Sequence, residues 1–249
     1  WAAKALDDDA ITRLKKAQKA SSIKSTIAHA TYLINIGATD HTIHQKSVAA
    51  LLIELERCAE LNIPYLVLHP GSHGTTDEKT CINKISDTLN MIFQNSTTNT
   101  GILLENMAGQ GSSVCYLFEH IGHIIATSDF KKRLGVCFDT CHAFAAGYDF
   151  RTAKTYEALW QSFDELIGID KLKAMHINDS KKPLGSRVDR HEDIGKGCLG
   201  LEPFELLFND PRFFGVPKVL ETPELTTNRS ILDDYLRNID TVRKLISSE

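Results

Sequence analysis

Short apolar runs alternate along the chain with longer segments in which apolar residues recur every three or four positions. The short runs are rich in residues that favour strands, and they recur at intervals of roughly 35 to 45 residues. Such spacing is typical of strands that alternate with helices. We therefore predict six strands, at Ile23–Ala28, Tyr65–Leu68, Ile102–Leu104, Leu134–Phe138, Leu172–Ile177 and Lys218–Leu220.

The longer segments have the periodicity of amphipathic helices that bury one face. The pattern is clearest in Gln45–Leu61 and Asp77–Phe93, and it closes the chain in Ser230–Ile246. Ser112 and Ser113 precede another helical segment, and serine is a preferred residue at a helix N-terminus. We predict that these two serines cap that helix.

Polar residues at the ends of the predicted strands favour one of the two architectures that a helix-covered parallel sheet permits. No glycine-rich nucleotide-binding motif opens the first helix, which disfavours an open, doubly wound sheet. In a closed barrel the carboxyl ends of all strands meet on one face, where the active sites of this fold lie. The residues at those ends are His29, His69, Glu105, Asp139, His176 and Glu221. We predict an α/β protein with a TIM barrel that occupies residues 1–249 as a single domain.

Composition and cysteine usage are those of an ordinary globular protein. The chain has 249 residues, of which 42% are hydrophobic and 24% are charged. No apolar run approaches the length that spans a bilayer, and no secretion signal is visible, so we expect a cytoplasmic monomer without a membrane partner. The six cysteines show no C-x-x-C spacing, and we expect them to be small buried residues in a reducing compartment.

The formal net charge of -4 argues at first against a nucleic-acid partner, because a basic surface is the usual feature of such proteins. Bound divalent cations would reverse the sign of the charge in one place. The net charge therefore does not exclude a phosphate-containing substrate.

The segment from Ala174 to Gly197 holds the densest set of metal-binding residue types. His176 and Asp179 end an apolar run, and Asp189 and His191 follow a polar loop. Residues two apart in an extended segment leave the backbone on the same side, which would suit a shared cation. A solvated polar loop is the competing interpretation, and this segment alone does not decide between them.

Three further candidate ligands end the first three strands. His29 alone is weak, because a single histidine after a strand is more often a core or capping residue. His69 in LVLHPGSHG is stronger, since Pro-Gly ends the strand there, although His73 is an alternative ligand. Glu105 in GILLENMAGQG follows four apolar residues, and a buried carboxylate needs a compensating partner such as a cation.

Asp139 and His142 form a D-x-x-H pair after the fourth strand, and Glu221 ends the last strand in the same manner as Glu105. Asp139 has an alternative role as the cap of the next helix. Nine residues share this mixed imidazole and carboxylate chemistry: His29, His69, Glu105, Asp139, His142, His176, Asp189, His191 and Glu221. The set lacks thiolates and therefore favours zinc or manganese, and it is large enough for two or three ions.

The motifs that carry these residues resemble, in order and spacing, those of the endonuclease IV family of apurinic/apyrimidinic endonucleases. They are HATYLINIG, LHPGSH, LLENMAGQG, GVCFDTCHAFAAGYD, MHINDS, GSRVDRHEDIGKG and LETP. The resemblance covers essentially the whole chain. It implies a barrel with three Zn²⁺ ions, with Mn²⁺ as an option at some positions. It also implies cleavage of double-stranded DNA 5′ to abasic sites, leaving a 3′-hydroxyl, and removal of 3′-blocking groups.

The resemblance also implies a role for each candidate residue. His29, His69 and Glu105 would hold the first ion, with Glu105 bridging to a second ion held by Asp139, His176 and Glu221. His142, Asp189 and His191 would hold the third ion. Glu105 and Glu221 would be the catalytic carboxylates, with Glu221 positioning or deprotonating the attacking water. Three further residues would contact DNA, namely Tyr32 and Leu33, which wedge into the minor groove, and Arg190, which reaches a phosphate. Asp179 would lie behind the ligands.

One departure from the family concerns strand number, because a closed barrel of this type has eight strands and we count six. Family members begin with two further strands, and we expect that this chain starts after them. Without those two strands, the strands at Ile23 and Lys218 would have unpaired edges. Two alternative functions stay open: a metal-dependent sugar isomerase or epimerase on a related barrel, and an inactive DNA-binding fragment.

Overall fold

The computed structural model describes residues 6–223 and 231–247. Its helices are α1 (Asp8–Ala20), α2 (His41–Glu60), α3 (Glu78–Asn95), α4 (Phe118–Thr127), α5 (Thr140–Ala146), α6 (Ala153–Leu166), α7 (Glu202–Asn209) and α8 (Ile231–Leu245). Its strands are β1 (Ala28–His29), β2 (Tyr65–Leu68), β3 (Gly101–Glu105), β4 (Leu134–Asp139), β5 (Leu172–Ile177), β6 (Asp179–Ser180), β7 (His191–Glu192) and β8 (Lys218–Leu220). Helices and strands alternate along most of the chain, as the sequence predicts.

The described residues form two compact units. The first comprises positions up to 105 together with 120–136, and the second comprises 106–119 and the positions from 137 onward.

In the first unit, β1, β2 and β3 are parallel neighbours in that order. His29 pairs with Val67, and Leu68 pairs with Leu104. This register brings the carboxyl ends of the three strands to one edge, where His29, His69 and Glu105 are located. All five residues of β3 are buried, which agrees with a parallel sheet that is covered on both faces.

In the second unit, the end of β4 from Cys137 onward is followed in the sheet by β5 and β8, and β5 and β8 are parallel. His176 pairs with Val219, so that His176 and Glu221 emerge at neighbouring strand ends. The short strands β6 and β7 form a separate antiparallel pair, in which Ser180 faces His191. That pair closes the loop between residues 180 and 191 at its base.

Aspartate and threonine side chains fix the starts of several helices, because their oxygens accept backbone N–H groups that have no partner inside the helix. Asp40 caps α2, Asp77 caps α3, and Thr152 forms a capping box with Thr155 at the start of α6. Asp139 caps α5, which is the alternative role that the sequence left open for this residue.

Five of the six predicted strands are confirmed within one or two residues at each end. The first is wrong in its extent, because β1 contains only Ala28 and His29 and the predicted residues 23–27 are not strand. Ile23 is 71% exposed, so β propensity without a partner strand does not suffice there. The predicted helix at Ser230–Ile246 corresponds to α8, although Ser230 lies outside the described residues.

The prediction that Ser112 and Ser113 cap a helix is wrong. Both serines lie in a turn, and α4 begins only at Phe118. The N–H of Phe118 instead donates to the Tyr148 hydroxyl at 2.9 Å, and the two rings stack with their centroids 4.1 Å apart. Helix α1 was not predicted at all.

Cys58, Cys81, Cys115, Cys137 and Cys141 are buried, as predicted. Cys198 is exposed, so the prediction of burial is wrong for that residue. No helix in the described part of the chain has the length and apolar character needed to cross a membrane.

Candidate metal centre

The first ligand group consists of His29, His69 and Glu105 and lies in the first unit. Glu105 is completely buried, and its Oε2 lies 3.0 Å from Nε2 of His29 and 3.1 Å from Nε2 of His69. The two imidazole rings meet edge to face, with centroids 4.9 Å apart. The three ligand atoms are all within 4.8 Å of one another, as a shared cation requires.

A backbone carbonyl orients the His29 ring. Its Nδ1 lies 2.7 Å from the carbonyl oxygen of Ala30, an acceptor, so Nδ1 carries the proton that it donates. Nε2 is then left as the lone-pair nitrogen that faces Glu105. Metal-binding histidines usually donate their other ring nitrogen in this way.

The second ligand group consists of Asp139, His176 and Glu221 in the second unit. Nδ1 of His176 lies 3.3 Å from Oε2 of Glu221 and 4.0 Å from Oδ2 of Asp139. Asp139 is completely buried and His176 is nearly so, whereas the Glu221 side chain is 31% exposed. This group therefore has one face that is open to solvent.

The third ligand group consists of His142, Asp189 and His191, also in the second unit. The two oxygens of Asp189 lie 3.2 Å from Nε2 of His142 and 3.2 Å from Nε2 of His191. The opposite ring nitrogens face backbone carbonyls, that of Asn106 at 3.0 Å from His142 and that of Glu221 at 2.7 Å from His191. Both rings are therefore held in the tautomer that turns Nε2 toward Asp189.

The pKa values of His191 and Asp189 show that the third ligand group stabilises a positive charge. Burial acts to lower the pKa of His191, but the carboxylates of Asp189 and Asp139 outweigh it and raise that pKa to about 9. Burial acts to raise the pKa of Asp189, but the two histidines hold it far below its usual value. A proton on His191 thus compensates the neighbouring carboxylates of Asp189 and Asp139, and a divalent cation would supply the same compensation.

Two buried asparagines hold Asp139, and neither was singled out from the sequence. The Asn106 side chain accepts the N–H of Asp139 at 2.8 Å and donates to its carbonyl at 3.1 Å. The Asn178 side chain donates to Oδ2 of Asp139 at 2.8 Å and accepts the N–H of Cys141 at 2.9 Å. Asn106 directly follows Glu105, and Asn178 lies two residues after His176. This closeness to candidate ligands is the sequence feature that could have identified them.

Three of the histidines outside the ligand groups make hydrogen-bond contacts elsewhere. His73, the alternative to His69, has Nδ1 2.6 Å from the carbonyl oxygen of Thr76, and it belongs to none of the potential metal groups among the described residues. His44 lies 2.9 Å from the Thr88 hydroxyl, and His123 lies 2.9 Å from the Asn83 amide.

Cys141 was not among the predicted ligands, yet its sulfur lies within 4.8 Å of ligand atoms of Asp189 and His191. Burial raises the pKa of this thiol to about 12. Its sulfur also faces the carbonyl oxygen of Arg190 at 3.7 Å. A thiol with this pKa carries its proton at neutral pH when no cation is present, and a bound cation would have to displace that proton before the sulfur could act as a ligand.

The predicted DNA-binding residues lie on exposed loops. In the first unit, Tyr32 is 81% exposed and Leu33 is 37% exposed. Their loop is fixed by Asn35, which donates to the Ser72 carbonyl at 3.1 Å and accepts the N–H of Gly37 at 3.1 Å. In the second unit, Arg190 is exposed, and one of its guanidinium nitrogens donates to the Asp189 carbonyl at 2.6 Å.

The chain matches known proteins in both sequence and structure. A family model described as xylose isomerase-like TIM barrel matches residues 2–244. A protein named probable endonuclease 4 from Chloroflexus aurantiacus is 44% identical over 90% of this chain and 79% of its own length. A protein of the same name from Geobacter sulfurreducens is 45% identical over 99% of this chain and 82% of its own length.

The chain belongs to the endonuclease IV family. The crystal structure of endonuclease IV from Thermus thermophilus is similar with a TM-score of 0.81 and 32% identity, over 98% of this chain and 84% of that one. Family membership confirms the TIM-barrel fold and makes the chain an enzyme of the nuclease class. A D-tagatose 3-epimerase-like protein is similar in fold, with a TM-score of 0.71 at 18% identity, over 96% of this chain and 83% of that one.

Proposed function

We propose that this protein is a zinc-dependent DNA-repair endonuclease that hydrolyses the phosphodiester bond 5′ to an abasic site. The product would carry a 3′-hydroxyl, and the same centre would remove blocking groups from 3′ ends. The observation that carries the proposal is the arrangement of the three ligand groups, each of which joins histidine nitrogens to a carboxylate at 3.0 to 3.3 Å. Family membership independently supports a nuclease.

The donor set fits Zn²⁺, because imidazole and carboxylate are both common zinc ligands and the tautomers of His29, His142 and His191 leave Nε2 available for binding. The first ligand group would hold one ion, the second group another, and the third group the last. The bridging role predicted for Glu105 stays a prediction. When bound, the ions would polarise the phosphate and lower the pKa of water.

Glu221 is the residue to which we assign the proton transfer. It is the only partly exposed carboxylate of the second ligand group, since Asp139 is completely buried. Its Oε2 faces Nδ1 of His176, which limits its orientation. A carboxylate held in this way accepts the proton of the attacking water and turns the lone pair of that water toward phosphorus.

The exposed loops would supply recognition. Tyr32 offers a large aromatic surface to solvent and Leu33 an aliphatic one, and such side chains can enter the minor groove where a missing base has weakened stacking. The Arg190 guanidinium has one nitrogen tied to the Asp189 carbonyl, so the other nitrogens of the group can reach a phosphate oxygen.

Incision of a defined duplex tests the proposal. A labelled oligonucleotide with one abasic-site analogue is incubated with the zinc-loaded protein, and the ends of the products are mapped. We expect one cut on the 5′ side of the analogue, a 3′-hydroxyl that a polymerase can extend, and no cut in the matched intact duplex. Turnover of a free ketose without incision would instead support an epimerase, and binding without incision would support an inactive fragment.

A further inference from the structure

Asp179 is a buried carboxylate that belongs to none of the three ligand groups. It is completely buried, and the structure records no cationic side chain paired with it among the described residues. It lies in β6, three residues after His176, and its side chain makes all of its recorded hydrogen bonds to backbone N–H groups. A buried charge of this kind is costly unless its surroundings compensate it.

Four N–H groups offset part of that cost. Oδ1 accepts from Ser180 at 2.7 Å and from Leu199 at 2.9 Å, and Oδ2 accepts from Gly197 at 2.9 Å and from Gly200 at 3.3 Å. Three of these four donors lie in the segment of residues 193–200, which wraps around the carboxylate as a backbone anion nest. A single side chain thus fixes the course of that segment.

Two glycines show how closely the segment approaches. A Cβ atom at position 197 would lie 2.5 Å from Oδ1 of Asp179 and would also clash with the carbonyl oxygen of Ser180, so only glycine fits. Gly200 has φ of +77°, a left-handed conformation that favours glycine. The motif GKGCLG is therefore shaped to surround Asp179.

The wrapped segment begins two residues after His191. Asp179 and Ser180 form β6, which pairs with His191 and Glu192 in β7, so the strand that carries His191 is held on one side by β6. The N–H of Cys198 donates to the Ser180 carbonyl at 2.8 Å, which ties the end of the wrapped segment to the same strand. The position of His191 is consequently fixed from both directions along the chain.

We propose that Asp179 is a positioning residue that sets the cation affinity of the third ligand group by holding His191 and Asp189 against His142. It acts through the backbone of residues 189–200 and does not itself bind the ion. This inference rests on the proposed metal-dependent function. It goes beyond that proposal because Asp179 is not a ligand. The inference is that Asp179 nevertheless sets the affinity for one of the three ions.

The test compares Asp179→Asn with the wild-type holoprotein in zinc buffers of defined free concentration. Asparagine keeps the shape, but its NH₂ group would face backbone donors that need an acceptor. We expect one of the three zinc ions to need a free zinc concentration about tenfold to 100-fold higher than in the wild type for half-saturation. The affinities for the other two ions should be unchanged. Incision should return when free zinc is raised.

Two controls separate positioning from general destabilisation. Asp210→Asn changes another buried carboxylate of the second unit, which bonds to Arg212 and Tyr156, and it should lower the melting temperature without changing zinc content. Gly197→Ala presses a Cβ atom against Asp179 and should reproduce the selective loss of one ion. Hydrogen exchange of the metal-free Asp179→Asn protein should be accelerated across residues 189–200 more than elsewhere.

Unchanged zinc affinity in both Asp179→Asn and Gly197→Ala would overturn the inference, as would loss of all ions in parallel with stability. A wild-type protein that binds fewer than three ions would contradict the proposed metal assignment instead. In that case the exchange measurement on the metal-free protein still decides whether Asp179 holds the segment.

Discussion

Asp189 lies between His142 and His191, with one carboxylate oxygen 3.2 Å from Nε2 of each imidazole. The two histidines come from different elements, α5 and β7, and a backbone carbonyl orients each ring. A carboxylate that joins two oriented histidines in this way defines the third ligand group. The main-chain N–H of Asp189 donates to Oε1 of Gln110 at 2.9 Å.

Replacing this carboxylate should remove one ion selectively. In Asp189→Asn the amide cannot compensate two histidines and a cation, so we expect zinc content to fall by one ion per chain and incision to fall at least about 100-fold. Metal analysis after gel filtration and single-turnover incision measure both effects. Asp149→Asn, a change at a carboxylate of the same unit that pairs with Arg151 away from the ligands, is the matched control, and a similar zinc loss in that variant would contradict the assignment.

Glu221→Gln should separate DNA binding from chemistry. The amide keeps the size of the side chain but cannot accept the proton from water, so we expect incision to fall by about 10²- to 10⁴-fold. Affinity for an abasic duplex, measured by fluorescence anisotropy, should change less than about threefold. Equal losses of binding and incision would refute the proton-transfer role, and zinc content must be measured to exclude simple ion loss.

Tyr32→Ala should weaken discrimination between abasic and intact DNA. The tyrosine exposes most of its surface, and losing one stacking contact of this kind costs about 1–3 kcal/mol, so we expect abasic-duplex affinity to fall by about 5-fold to 160-fold. Affinity for intact duplex should change little. Tyr32→Phe retains the ring and should behave like the wild type; if it loses as much affinity as the alanine variant, the wedge interpretation fails.

Asp210 should contribute to stability at neutral pH and lose that contribution in acid. Burial acts to raise the pKa of Asp210, but hydrogen bonds from Arg212 and Tyr156 outweigh it, so the pKa lies below its usual value. Because the folded-state pKa is the lower one, the stabilisation is present above about pH 4 and disappears as pH falls through the folded-state value. Asp210→Asn should therefore be less stable than the wild type at pH 7, with the difference shrinking as the solution is acidified below the folded-state pKa. Urea unfolding at neutral and acidic pH measures this, and a constant difference would contradict it.

The sequence predicted the parts of this structure that depend on local pattern. The strands that lead to His69, Glu105, Asp139 and His176 were found because each is a short apolar run with a polar residue at its end. The same logic failed at residues 23–27, where a strand-like sequence finds no partner over its length. Strand pairing depends on residues far away in the chain, and local β propensity therefore does not predict it.

The candidate ligands were likewise visible from the sequence, whereas the residues that orient them were not. Asn106 and Asn178 hold Asp139 through hydrogen bonds over 33 and 39 positions of sequence. The ring tautomers depend on carbonyl oxygens, such as that of Glu221 beside His191, which have no residue-type signature at all. Their roles became clear only from distances.

The most direct test of the account is incision as a function of zinc equivalents. Metal-free protein is titrated with Zn²⁺, the ions per chain are counted by mass spectrometry, and incision of an abasic duplex is measured at each point. We predict no incision without metal and full incision only as three ions per chain are bound. Full incision with fewer than three zinc ions per chain, or no incision of the abasic duplex at zinc saturation, would contradict the central claim.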